Sequence, residues 1–252
     1  MLEVVNLCKH FGGIVASDGV KLSVRAGEVH ALIGPNGAGK TTLIAQLSGS
    51  MASDEGRILF LGNDVTKQEQ HARVKAGLVR SFQITSIFGR FSVLDNLALA
   101  AQARTGSSLA FWRPVAAERA LFDEARAVAA EVGLAGEEDT PAAALAHGEQ
   151  RALELGLALA TRPKLLLLDE PTAGMGQEES QRIIALVDRL RARLTVLLVE
   201  HDMDAVFRLA DRISVLVSGG IIATGAPDEI RRNEAVKRAY LGDAPGEKAA
   251  AA

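Results

Sequence analysis

A single cysteine, Cys8, stands in 252 residues. That excludes an internal disulfide and a metal site built from cysteines, and it suits a reducing compartment. No apolar run approaches the ~20 residues that a membrane-spanning helix needs, so the chain reads as soluble, with any membrane contact made by docking. The start, "MLEVVNLCKHFGG", carries charges and no long apolar core, so a signal peptide is not expected. The net charge of −3 gives no overall basic field, and nucleic acid is not an expected partner. There is no internal repeat. The tail "GDAPGEKAAAA" is small and polar and is expected to fray.

What is present is enough for a core: 48% of residues are hydrophobic and 23% charged, ordinary proportions for a globular chain. The length fits one large α/β domain, or one domain with a sizeable inserted subdomain. Near the start, "LEVVNL", "GVKLSV" and "GRILFLG" alternate or are β-branched between glycine turns, which predicts a small antiparallel sheet. "EVHALIG" is a compact apolar run stopping at Gly34, and "KTTLIAQLSG" has helical spacing with a stop at Gly49. "KLLLLDEP" and "LTVLLVEHD" read as buried parallel strands. Between them "GQEESQRIIALVDRLRAR" reads as an amphipathic helix, completing a βαβ crossover. From about 93 to 161 the chain is rich in Ala, Leu, Glu and Arg with no strand signal, which predicts a helical subdomain. The α/β core with its antiparallel part then takes about 1–92 and 162–242, and 243–252 form a flexible tail. "ARTGSSLAFWRP" reads as a loop whose Phe111 and Trp112 either pack locally or form a docking patch.

"GPNGAGKT", Gly34 to Thr41, fits the G-x-x-x-x-G-K-[ST] pattern between a strand and a helix, the setting its mechanism requires. Glycines let backbone N–H groups turn inward around phosphate oxygens, and the helix adds its positive end. The nucleotide-binding candidates are Gly34, Asn36, Gly37, Ala38, Gly39, Lys40, Thr41 and Thr42. Lys40 can reach the β- and γ-phosphates of ATP, and the Thr41 hydroxyl can ligate Mg2+.

"LLLLDEP" sets Asp169 and Glu170 at the C-terminal end of a buried strand, the edge where open parallel sheets bind ligands. Alone, such a pair also reads as a helix cap or a solvated turn. Beside a phosphate loop, Asp169 suits the Mg2+ shell, and Glu170 suits the general base that polarises the attacking water. "LLVEHD" ends the next strand in His201, which can contact the γ-phosphate and orient that water. Glu200 and Asp202 beside it read as solvated or capping groups. From local sequence Gln83 in "VRSFQITSIF" reads as a surface glutamine, although an amide there can also ligate Mg2+. "LAHGEQ", Leu145 to Gln150, resembles a phosphate loop entering a helix at Glu149, yet it offers Ala146 and His147 where a hydroxyl would serve.

Together "GPNGAGKT", Gln83, "LAHGEQ", "LLLLDEP" and His201 resemble, in order and spacing, the ATP-binding cassette ATPases, and the likeness runs from Leu2 to about Gly242. It implies an ATPase with a P-loop α/β core that works as a dimer, homo- or heteromeric. Each ATP is sandwiched between one subunit's phosphate loop and its partner's signature loop, here Ala146, Gly148 and Glu149. It also implies Gln83 as a Mg2+ ligand and Phe11 as the adenine-stacking aromatic, where an ordinary core phenylalanine is the other reading. "FGGIVASDGVKLSV", "RSFQITSIFGRFSVLDNLALAAQ" and "RRNEAVKRAYLGD" are similar to the LivG-like ATPases of branched-chain amino acid importers. That group implies transmembrane permease subunits, and indirectly a periplasmic substrate-binding protein. The cassette would lie on the cytoplasmic face of the membrane, with Phe88 and Phe91 in the docking surface. Two departures stand out. Ala146 replaces the signature serine, a lost hydrogen bond of about 1 kcal/mol, and Gly176 replaces the Asp or Asn that follows the strand carboxylates. The expected function is the ATPase of an amino acid importer. The rivals are a lipid or lipopolysaccharide exporter and a soluble non-transport cassette protein.

Overall fold

The computed structural model of the protein describes residues 1–81, 87–104 and 115–241. Gln83, Phe111, Trp112 and the tail 243–252 lie outside these. The chain divides into two compact units, Met1–Gln70 with Thr195–Ala252, and His71–Leu194. The first unit opens with β1 (Leu2–Phe11), β2 (Ile14–Val24), β3 (Val29–Ile33), α1 (Lys40–Ser48), β4 (Glu55–Phe60) and β5 (Asn63–Asp64). From the boundary onward come α2 (Gln70–Ala76), β6 (Leu78–Arg80), α3 (Val93–Arg104), α4 (Val115–Glu131), α5 (His147–Ala160), β7 (Leu165–Asp169) and α6 (Gln177–Leu190). The chain then returns to the first unit as β8 (Thr195–Val199), α7 (Met203–Leu209), β9 (Arg212–Val217), β10 (Gly220–Gly225), α8 (Pro227–Arg232) and α9 (Glu234–Leu241).

In the first unit the expected antiparallel sheet runs β2-β1-β4-β5. β1 and β2 form a hairpin from Leu2↔Val24 to Phe11↔Ile14. Along β2 the buried Val20, Leu22 and Val24 alternate with exposed Lys21 and Ser23, the period-two pattern of a sheet with one face inward. The second sheet of this unit sets β3 between β8 and β9, parallel to both, with β10 antiparallel on β9. All five residues of "VHALI" and of "TVLLV" are buried, as continuous apolar parallel strands require. Ala31 and Ile33 of β3 pack with Val206, Ile213, Val215, Ile230 and Val236, so α7, α8 and α9 share one core with that strand. Each such aliphatic side chain contributes roughly 1.5–3 kcal/mol through burial. α1 ends at Gly49, whose φ of 81° supplies the left-handed cap anticipated from the sequence.

In the second unit β6 and β7 pair in parallel, Leu78↔Leu165 through Arg80↔Leu167. The stretch expected to be helical holds α3, α4 and α5, with a short 3-10 turn at Ala142–Ala144. Gly156 allows the three helices to close: a Cβ there would lie 3.0 Å from Leu97 on α3 and 3.5 Å from Val128 on α4. Buried Asn96 pins the turn before α3, accepting the Phe88 N–H at 2.8 Å and donating to the Ser92 carbonyl at 2.9 Å. On α6, Ile183, Ile184, Leu186, Val187 and Leu190 make the buried stripe that its amphipathic spacing predicts.

Candidate functional site

The phosphate-loop pattern lies between the buried end of β3 and the start of α1. Its glycines are required by backbone, not only by ligand. A Cβ on Gly34 would come within 2.1 Å of the Leu216 carbonyl oxygen, and one on Gly39 within 2.2 Å of the Ala16 carbonyl oxygen. Gly39 also has φ of 103° and Gly37 of 80°, conformations that side chains disfavour. The turn between β9 and β10 braces the loop, for Gly219 N–H donates to the Ala38 carbonyl at 3.0 Å. Lys40 is buried, and its ammonium donates to the carbonyls of Gly34 at 2.6 Å and Pro35 at 3.0 Å. A cation is thus held inside the loop. Asn36, Gly37 and Thr41 are exposed and Thr42 is half-buried. Tyr240 on α9 meets the backbone of Gly34, and burial pushes its hydroxyl up to about 12 against that contact.

Asp169 and Glu170 belong to the second unit. Asp169 ends β7 with 2% of its surface exposed, while half-buried Glu170 follows it with φ of 48°. A non-glycine residue in that left-handed region is uncommon and is held there by its surroundings. The Asp169 Oδ2 accepts Arg80 Nη2 at 2.8 Å, and Arg151 of α5 donates to the Glu170 carbonyl at 3.4 Å. Neither arginine stood out in the sequence. The available signal was a charged residue, Arg80, closing the apolar run that precedes Gln83. Gln83 itself lies outside the described residues.

His201 follows β8 in the first unit, its side chain 60% exposed. Glu200 before it is not solvated, one of the two readings open to it; it is 1% exposed and accepts the N–H groups of His201 at 3.0 Å and Asp202 at 3.4 Å. Desolvation of its carboxylate is offset by those bonds. Asp202 caps α7, accepting from Asp204 and Ala205. Phe11, at the end of β1, is 46% exposed with the Lys9 ammonium 5.5 Å from its ring centroid, so the core-phenylalanine reading does not hold.

At "LAHGEQ" the helix begins at His147, two residues before the expected start. Ala146 is its cap residue and Glu149 its third position. The Glu149 carboxylate turns back to accept the Ala146 N–H at 2.9 Å, which stands in for part of a missing cap side chain. Ala146 and His147 are exposed. Gly148 lies beneath Glu179 of α6, where a Cβ would come 2.8 Å from Glu179 Oε1. Gly176 caps α6 in the same manner, its N–H donating to Glu179 Oε2 at 3.3 Å.

Residues 17–173 match the ABC transporter family, and 221–245 match the branched-chain amino acid ATP-binding cassette transporter family. The chain is 38% identical to the high-affinity branched-chain amino acid transport ATP-binding protein BraF of Pseudomonas aeruginosa, over 97% of this chain and 98% of that one. It is 37% identical to the corresponding LivG protein of Escherichia coli, again over 97% and 98%. Among solved structures, MJ1267, an ATP-binding cassette of an ABC transporter, superposes in its ADP conformation with a TM-score of 0.83. That match has 31% identity and covers 96% of this chain and 99% of MJ1267. A strand-to-helix phosphate loop gripping its lysine, an acidic pair ending a buried strand and this likeness along nearly the whole chain agree. The chain belongs to the LivG-like ATP-binding subunits of ABC transporters, and it is a nucleotide-binding ATPase.

Proposed function

We propose that this ATPase powers an ABC importer that takes up branched-chain amino acids or related small amides. The observation that carries the reading is the extent of the likeness to branched-chain cassettes, which continues through the C-terminal stretch 221–245. In that stretch α8 and α9 place Ile230 and Val236 in the core of β3, the strand that ends in the phosphate loop.

Each site residue takes a role in this reading from its motif. Backbone N–H groups of Asn36, Gly37 and Gly39 and the start of α1 receive phosphate oxygens, and Lys40 exchanges its carbonyl partners for the β- and γ-phosphates. Asn36, Ala38 and Thr42 complete the cradle, and exposed Phe11 offers a face for adenine. A hard cation suits the oxygen donors available. Asp169 has one buried carboxylate oxygen, Oδ1, with no hydrogen-bond partner among the described residues. Mg2+ bound with the nucleotide would neutralise phosphate charge, held by Thr41, Gln83 and Asp169. Glu170 takes the proton of the attacking water, and His201 orients that water against the γ-phosphate. Ala146, Gly148 and Glu149 act on the ATP of a second cassette through backbone N–H groups and the helix end.

In this reading the segment from Gln83 to about Leu97, which leads into the helical subdomain of about 93–161, forms part of the face that meets the permease. Phe88 and Phe91 stand 59% and 45% exposed with ring centroids 5.5 Å apart, and a cavity of about 270 Å3 lies among Phe91, Leu99 and Phe122. Contiguous exposed apolar surface of this kind marks a docking site, here for a short amphipathic helix of a membrane subunit. The cassette works at the cytoplasmic face, and a periplasmic binding protein delivers the cargo to the permease. The test is purification of the whole complex through a tag on this chain, followed by reconstitution in vesicles. Permeases should accompany it, and leucine, isoleucine or valine with the binding protein should raise ATP turnover. Stimulation only by an unrelated cargo would overturn the substrate assignment.

A further inference from the structure

The pair formed by Arg80 and Asp169 goes beyond these roles. Asp169 has a side chain 1% exposed, and only Oδ2 meets the guanidinium, at 2.8 Å. Both residues end neighbouring parallel strands, and Ser81 N–H donates to the Leu167 carbonyl at 2.9 Å, so backbone bonds set their spacing. The other oxygen, Oδ1, is buried without a partner among the described residues. Leaving such an atom unpaired is costly, a cost that a ligand atom kept ready for a cation explains. A second pair lies close by: Arg151 Nη1 donates to Glu154 Oε2 at 2.7 Å, and Glu154 Oε1 is likewise buried without a partner among the described residues. Arg151, Glu154 and Asp169 line one cavity of about 20 Å3, room for a single water. Two arginines thus balance two carboxylates.

We propose that Arg80 is a positioning residue for Asp169. It holds the carboxylate by Oδ2, leaves Oδ1 for the hydration shell of a divalent cation, and supplies the counter-charge while no cation is bound. This rests on the reading of Asp169 as the Mg2+-facing carboxylate. Arginine suits the task because its planar guanidinium fixes the direction of the bond, which a lysine does not. Residues that orient a metal ligand typically change metal affinity 10–100-fold when removed.

The experiment uses the full chain as wild type, Arg80→Met, Arg80→Lys and Asp169→Asn. Binding of a non-hydrolysable ATP analogue is measured in excess EDTA and then through a Mg2+ titration. The expected result for Arg80→Met is an EDTA affinity within about twofold of wild type and a Mg2+ midpoint raised about tenfold, with Arg80→Lys in between. A role limited to joining β6 to β7 would lower the melting temperature and leave the Mg2+ midpoint unchanged, and that outcome overturns the proposal. If Arg80→Met does not fold, Arg80→Lys carries the test alone, an unmoved midpoint overturning the proposal and a raised one supporting it. If Asp169→Asn titrates like wild type, the reading of Asp169 falls and the proposal with it. If only Asp169→Asn shifts, Arg80 alone is excluded.

Discussion

The carboxylate of Glu149 accepts the backbone N–H of Ala146 at 2.9 Å and so closes the start of α5. Helix starts usually take a Ser, Thr, Asp or Asn at the cap, whose side chain satisfies an otherwise unpaired N–H. Ala146 offers no such group, which leaves the reciprocal bond from Glu149 as half of a capping box. Ala146→Ser restores the other half. It should raise stability by roughly 0.5–1 kcal/mol in thermal unfolding and leave ATP turnover similar or higher. A collapse of turnover would show that the loop does not act through its backbone.

The glycines of the phosphate loop differ in why they are needed. At Gly34 a Cβ would meet the Leu216 carbonyl oxygen at 2.1 Å, a backbone atom that cannot move without shifting β9. At Gly37 nothing lies within 4 Å, and only the φ of 80° opposes a side chain. Gly37→Ala should therefore fold at a cost of about 1–2 kcal/mol, whereas Gly34→Ala should displace the loop and lose nucleotide binding. Calorimetric titration with ATP beside a melting curve separates the two. Equal behaviour would contradict the clash at Leu216.

His30 sits in β3 with no exposed surface, its Nδ1 3.1 Å from Glu28 and its Nε2 2.8 Å from the Ser214 hydroxyl. Burial lowers its pKa below 6.5, outweighing the opposing hydrogen bond and charge of Glu28, while Arg212 and Arg25 push the same way as burial. The unfolded chain then binds this proton at a higher pH than the native one. Stability from His30 is complete above pH 6.5 and drains away as pH falls through the window below it, by at most about 1.4 kcal/mol per pH unit. His30→Gln should flatten the fall in melting temperature between pH 7 and 5. An unchanged slope would show that other groups carry it.

Much of this was legible in the sequence because the motifs encode backbone requirements. Gly34, Gly39 and Lys40 form a pattern within one turn of chain, and the runs "VHALI" and "LLLLD" announce strands buried on both faces. What escaped depends on partners far along the chain. Arg80 gained meaning only through Asp169, 89 positions away. Glu200 looked able to face solvent, yet it is buried because it accepts the two N–H groups that follow it. The sequence points to a start of α5 two residues late, at Glu149, because Ala146 leaves no cap signature to read.

In the function proposed above, Glu170, set in a left-handed conformation after a buried strand, is the base that activates water for ATP hydrolysis. The most direct measurement compares wild type with Glu170→Gln, in the assembled transporter, for ATP turnover and ATP affinity. An amide of the same shape cannot take the proton, so turnover should fall by about 100-fold or more, a general base usually contributing about 10²–10⁴. ATP affinity should stay within a factor of about two, because binding rests on the phosphate loop. Turnover left near the wild-type rate would contradict the account.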